Sequence, residues 1–140
     1  MRLAVCEDSA APSLLRMLTW LAVLVGGALG SAARHGVNLV APRLFGSAAP
    51  YATAAVNMIG ALAIGVLAGM MEAQRVSMTT TERALYLTGI LGGFTTFSSF
   101  MLDSLVLWHA GSTAKAVLNL VGQLVLGSLL AYTGYRAGVR

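Results

Sequence analysis

Four runs of apolar residues, each about as long as a bilayer is thick, constrain this chain more than any other feature. They cover residues 17–40, 51–71, 84–109 and 115–135, and the first is uncharged as far as Ala33. A hydrocarbon core of about 30 Å is crossed by roughly 20 residues of helix, and each run reaches that length. The runs are continuously apolar rather than alternating. They therefore read as helices, which satisfy their own backbone inside lipid, and not as barrel strands. Four helices use almost the whole of the 140 residues. The expected architecture is an all-α membrane protein of four transmembrane helices, with an N-terminal tail over residues 1–16 and the membrane domain over 17–140.

Composition agrees. Hydrophobic residues make up 57% of the chain and charged residues only 10%, against about 25% charged in soluble domains. So few charges exclude an ordinary soluble enzyme, and the high apolar content excludes a disordered chain. The formal net charge is +4, from nine basic and five acidic residues. The basic residues are scattered singly and form no stripe for nucleic acid, so they read as anchors at the ends of spans. The single cysteine, Cys6, can close no internal disulfide, and no Cys/His cluster offers a zinc site. No nucleophile–base pair or phosphate loop occurs, so an enzyme is not expected. With the N-terminus on the cytoplasmic side of the cell membrane, Arg2, Arg16, Arg75, Arg83, Arg136 and Arg140 lie on the inner side. Arg34, Arg43 and Lys115 then lie outside. That bias fits N-in insertion, yet it is mild enough to be compatible with insertion in both directions.

A structural bundle requires only Leu, Val, Ala and Gly, so the informative residues are those that are costly in lipid. In the third run, Gly92 and Gly93 are followed by Phe94, Thr95, Thr96, Phe97, Ser98, Ser99 and Phe100. Glycines, β-branched threonines and serines weaken a helix. Two readings stay open from the residues alone. One is a break that frees carbonyls for a hard cation and amides for an anion. The other is a straight helix whose hydroxyls bond back to their own turn. Phe97 and Phe100 share a helix face; such pairs usually pack, but their positive ring edges can also line a path for a small anion. Asn57, mid-way along the second run, offers amide donors to an anion or to another helix. Ala61, Gly65 and Gly69 follow it as a small-residue ridge for close packing. Arg34 reads either as a snorkelling cation or as a charge drawing anions to a vestibule. Asp103 is the one acid well inside an apolar run, and Asn119 and Gln123 form a polar row on the fourth.

Three stretches, GGALGSAAR at 26–34, VNMIGALAIG at 56–65 and GGFTTFSSF at 92–100, make the chain resemble the Fluc/CrcB family of fluoride channels. The likeness covers about residues 17–135. It implies an antiparallel, dual-topology homodimer with two anion pores and a third helix broken at mid-membrane. It also implies a structural sodium ion at the dimer centre, held by the carbonyls of Gly92 and Thr95 from each subunit. By the same likeness Phe97 and Phe100 line the pores, Asn57 is the pore asparagine, and Thr96, Ser98 and Ser99 supply hydroxyls to a polar track. The expected function is passive export of cytoplasmic fluoride. Departures are Ser99 for the commoner threonine, Asp103 for the usual glutamate, and His35 for a frequent tyrosine. The fourth run carries Asn119, Gln123 and Gly127 where the family often has tyrosine and serine or threonine, so no role is carried over there. A small multidrug-type proton-coupled exporter is the rival transport reading, but it requires a carboxylate in the first span, which is absent. A non-transporting membrane scaffold is the other alternative; it would need neither the glycine–threonine stretch nor the paired phenylalanines.

Overall fold

The computed structural model describes residues 13–45 and 49–140, and every element among them is helical. Most of the expected tail, residues 1–12, lies outside the described residues; residues 13–16 form the first turn of α1. Helix α1 spans Ser13–Phe45 and α2 spans Ala49–Glu72. The third apolar run is composite. It comprises α3 (Thr80–Arg83), a π-helical stretch (Ala84–Leu91), α4 (Gly92–Phe94) and α5 (Phe97–His109). Helix α6 spans Thr113–Val139. Four stretches, Ser13–Arg43, Pro50–Glu72, Thr80–His109 and Thr113–Val139, are long and apolar enough to cross a membrane.

The helix boundaries follow local chemistry. Pro42 and Arg43, beyond the apolar run that ends at Val40, still lie inside α1. Pro42 falls in the last turn, where the helix forgoes one backbone bond and stops three residues later. Pro50 lies in the first turn of α2, where the N–H it lacks would have no helical partner. Past α2 the chain reverses through Gln74 at φ 55°, with the Arg75 amide returning to the Met70 carbonyl at 2.9 Å. A capping box starts α3: the Glu82 carboxylate accepts from the Thr79 amide at 2.8 Å, and Thr79 Oγ1 accepts from the Glu82 amide at 3.3 Å. Gly111, at φ 72°, closes α5, and the Ser112 amide donates to the Leu107 carbonyl at 2.9 Å.

Glycines set the packing. Helix α2 lies along α6, and a Cβ on Gly65 or Gly69 would run into the carbonyl of Ala131 or Tyr135. From the other side, Gly134 and Gly138 face the carbonyls of Leu62 and Val66. The small-residue ridge of the second run is thus the α2–α6 contact. A second close pair joins α1 to the π-helical stretch and α4. There a Cβ on Gly26 would come within 2.5 Å of the Leu85 carbonyl, and one on Gly93 within 2.6 Å of the Gly27 carbonyl. Small residues let helix backbones approach where lipid gives no hydrophobic drive to associate. The apolar core is correspondingly thin: Val56, Ala52, Ala41, Ala84, Phe100 and Ala116. Large side chains such as Trp20, Leu24 and Leu118 face outward, as lipid-facing residues do.

Candidate anion and cation site

The site lies where the third run departs from helix. Gly92 to Phe94 are helical; Thr95 (φ −79°, ψ 159°) and Thr96 (φ −153°, ψ 118°) are extended; helix resumes at Phe97. Thr96 caps the new helix, with its Oγ1 accepting from the Ser99 amide at 3.2 Å. The same hydroxyl donates to Ser99 Oγ at 3.1 Å and lies 3.4 Å from Ser98 Oγ. On the other side Thr95 turns back, its amide and its hydroxyl both donating to the Leu91 carbonyl, at 3.0 and 2.9 Å. Gly60 of α2 leaves room for the Thr95 methyl, and Ser31 of α1 donates to the Gly93 carbonyl at 3.4 Å.

An extended peptide in an apolar setting needs partners for its N–H and C=O. Asn57 supplies both for Thr96. Its Oδ1 accepts from the Thr96 amide at 2.9 Å, and its Nδ2 donates to the Thr96 carbonyl at 3.2 Å. Nδ2 also donates to Gln123 Oε1 at 2.9 Å. The row continues along α6 into α5. Gln123 Nε2 donates to Asn119 Oδ1 at 2.9 Å, Asn119 Nδ2 to Ser104 Oγ at 2.8 Å, and the Ser104 hydroxyl to the Phe100 carbonyl at 2.9 Å. Gln123 and Ser104 are buried polar residues. The sequence shows Asn119 and Gln123 as a row one turn apart, but nothing in it gives them a partner. Ser104 carries no sequence cue at all, being a lone hydroxyl within the apolar part of α5.

Two carbonyls lose the bond a continuous helix would give them. The Thr96 amide, four residues beyond Gly92, is taken by Asn57, and the Ser99 amide, four beyond Thr95, is taken by Thr96 Oγ1. Main-chain oxygens of this kind suit a hard cation. No group of three or more His, Cys, Asp or Glu side chains is gathered for a metal among the described residues. The Gly92 and Thr95 carbonyls therefore fit a cation bound by backbone oxygen rather than by carboxylates.

The phenylalanines meet edge to face, with ring centroids 5.7 Å apart and planes at 65°. Phe100 is 4% exposed and Phe97 70% exposed, so the pair runs from the core to the open face. Both rings line a cavity of about 380 Å³ together with Asn57, Thr95, Thr96 and Gln123. A second cavity, of about 550 Å³, opens between α2 and α6 past Lys115 and Asn119 and shares Met58 and Gln123 with the first. The structure thus brings Asn57, Gly92, Thr95, Thr96, Phe97 and Phe100 to one cavity, with Ser99 and the exposed Ser98 beside it on α5. Arg34 and Asp103 are not gathered there. Arg34 is half-buried on α1, and Asp103 is half-buried on α5 with its Oδ2 enclosed and without a hydrogen-bond partner.

Comparison with known proteins follows this geometry. Residues 21–135 match the model of the family described as CrcB-like protein, Camphor Resistance (CrcB). A Paracoccus denitrificans protein named fluoride-specific ion channel FluC is 45% identical over 120 residues, covering 86% of this chain and 94% of the relative. A Methylobacterium nodulans protein of the same name is 48% identical over 111 residues, covering 79% and 88%. A Nitrobacter hamburgensis protein named fluoride-specific ion channel FluC 2 is 38% identical over 117 residues, covering 84% and 94%.

Proposed function

The chain belongs to the CrcB family, and from that premise we propose that this multi-pass membrane protein is a fluoride-specific ion channel that lets cytoplasmic fluoride leave the cell passively. The names of the relatives support the reading. The observation that carries it is the extended Thr95–Thr96 pair, with hydroxyls and phenylalanine edges converging beside it on one cavity. In this reading the third helix is broken at mid-membrane and the break is functional. Fluoride is small and strongly hydrated, so a pore must replace its water with donors yet bind weakly enough to release it. The hydroxyls of Ser98 and Ser99 and the positive edges of Phe97 and Phe100 provide such donors without a full charge, and the Thr96 hydroxyl belongs to the same polar track through its bond to Ser99. Asn57 stands at the pore wall. Arg34 and Asp103 act outside the narrow path, as vestibule or structural charges. No step is chemical, so the protein is a channel and not an enzyme.

The working unit is an antiparallel, dual-topology homodimer with two pores, in the inner or plasma membrane. The mild bias of flanking charges and the open, outward-facing Phe97 support that assembly. A structural sodium ion is assigned to the Gly92 and Thr95 carbonyls of each subunit. Bound there, it would neutralise main-chain oxygens directed into a dry dimer centre. The test is fluoride efflux from liposomes holding the purified protein, with chloride as control. Rapid fluoride release without chloride release is expected, and folded protein that releases no fluoride would end the channel reading.

A further inference from the structure

Gln123 and Asn119 line the cavities, where they could be taken for direct ligands of the permeating ion. The hydrogen bonds point elsewhere. The Ser104 hydroxyl donates to the Phe100 carbonyl, so towards Asn119 it can only accept. Asn119 must then turn Nδ2 to Ser104 and Oδ1 to Gln123, and Gln123 must turn Nε2 to Asn119 and Oε1 to Asn57. Asn57 is left with one orientation, its Nδ2 towards Gln123 and its Oδ1 towards the Thr96 amide. Thr96 demands the same orientation from the other end, because a backbone N–H needs an acceptor. Every donor along the row points the same way, from Asn57 to the Phe100 carbonyl. Both amide hydrogens of Asn57 are committed, one to Thr96 and one to Gln123. The row also closes a ring, since Phe100 and Thr96 belong to the same end of α5.

We propose that Gln123, held by Asn119 and Ser104, is a positioning residue that locks the Asn57 amide onto the extended Thr96 peptide, and is not itself a ligand of the ion. Fluoride flux depends on Gln123 through Asn57 alone. Without Gln123, Asn57 can rotate, and the equilibrium between held and released Thr96 shifts by the weight of one hydrogen bond, about tenfold towards release. The flux part of this inference rests on the channel reading; the orientation part does not.

The test uses the full chain in liposomes and in detergent, with Gln123→Leu, Asn57→Ala and the double variant. Asn119→Leu serves as a second break in the row should Gln123→Leu fail to fold. Maximal fluoride efflux should fall in Gln123→Leu, by up to about tenfold, while the fluoride concentration giving half-maximal efflux stays within about twofold. Adding Gln123→Leu to Asn57→Ala should change efflux by less than about twofold, because the two act in series. A raised half-saturating fluoride concentration, or losses that multiply in the double variant, would make Gln123 a direct ligand and overturn the proposal. Hydrogen exchange at the Thr96 amide separates this from the channel reading. Its protection should drop about tenfold in Gln123→Leu whether or not the protein passes fluoride. Unchanged protection overturns the positioning role even if the channel reading stands. Wild-type protein that passes no fluoride removes the channel reading and leaves exchange to decide the positioning role.

Discussion

Asn57 does for Thr96 what a neighbouring strand does in a sheet: one side chain meets the N–H and the C=O of the same residue. In an apolar setting each of those groups, left alone, costs about 1–3 kcal/mol. Asn57→Leu should therefore destabilise the protein by about 3 kcal/mol, read as a lowered unfolding temperature in detergent. The two phenylalanines should separate stability from flux. Phe97 is exposed and Phe100 buried. Phe97→Ile should cost less than about 0.5 kcal/mol of stability. Phe100→Ile loses buried area and its edge contact and should cost about 1–2 kcal/mol. Both should lower fluoride efflux while the proposed dimer stays intact on size exclusion. Full flux in both variants would remove the rings from the path.

Two kinds of glycine stand out at the scale of the helix. Gly65, Gly69, Gly134 and Gly138 face main-chain atoms of the opposing helix, so α2 and α6 touch backbone to backbone. Gly65→Val must push the helices apart and should cost about 3 kcal/mol or more, with loss of assembled protein on size exclusion. Gly36 has open space where its Cβ would stand. There Gly36→Ala should be neutral or stabilise by up to about 1 kcal/mol through helix propensity alone. If Gly65→Val assembled as well as Gly36→Ala, the close α2–α6 contact would be refuted. The α2–α6 contact also sets the register that puts Asn57 opposite Gln123, so fold and site are coupled at this scale. The π-helical stretch packed on Gly26 and Gly30 was invisible to the apolar pattern, which shows an unbroken run from 84 to 109.

At the scale of the molecule, the proposed dual insertion makes a direct prediction. A C-terminal tag should be reachable from both sides of the membrane in comparable amounts, read by labelling intact and opened vesicles, because the flanking charges give only a weak preference. A tag found on one side alone would remove the antiparallel dimer. The amino-acid sequence by itself determined the four spans, since their length and continuous apolarity permit nothing else in lipid. It also marked the residues that are costly there: Asn57, the Gly92–Phe100 stretch, Asp103, Asn119 and Gln123. Where α1 ends was not legible, because Pro42 is tolerated in a last turn and its identity alone does not say which turn it occupies. Only the tertiary structure decided what the polar residues do for one another. Asn57, Gln123, Asn119 and Ser104 lie on three helices, far apart along the chain. Hydrogen bonds have a reach of about 3 Å and a direction, and periodicity carries neither until the helices are packed.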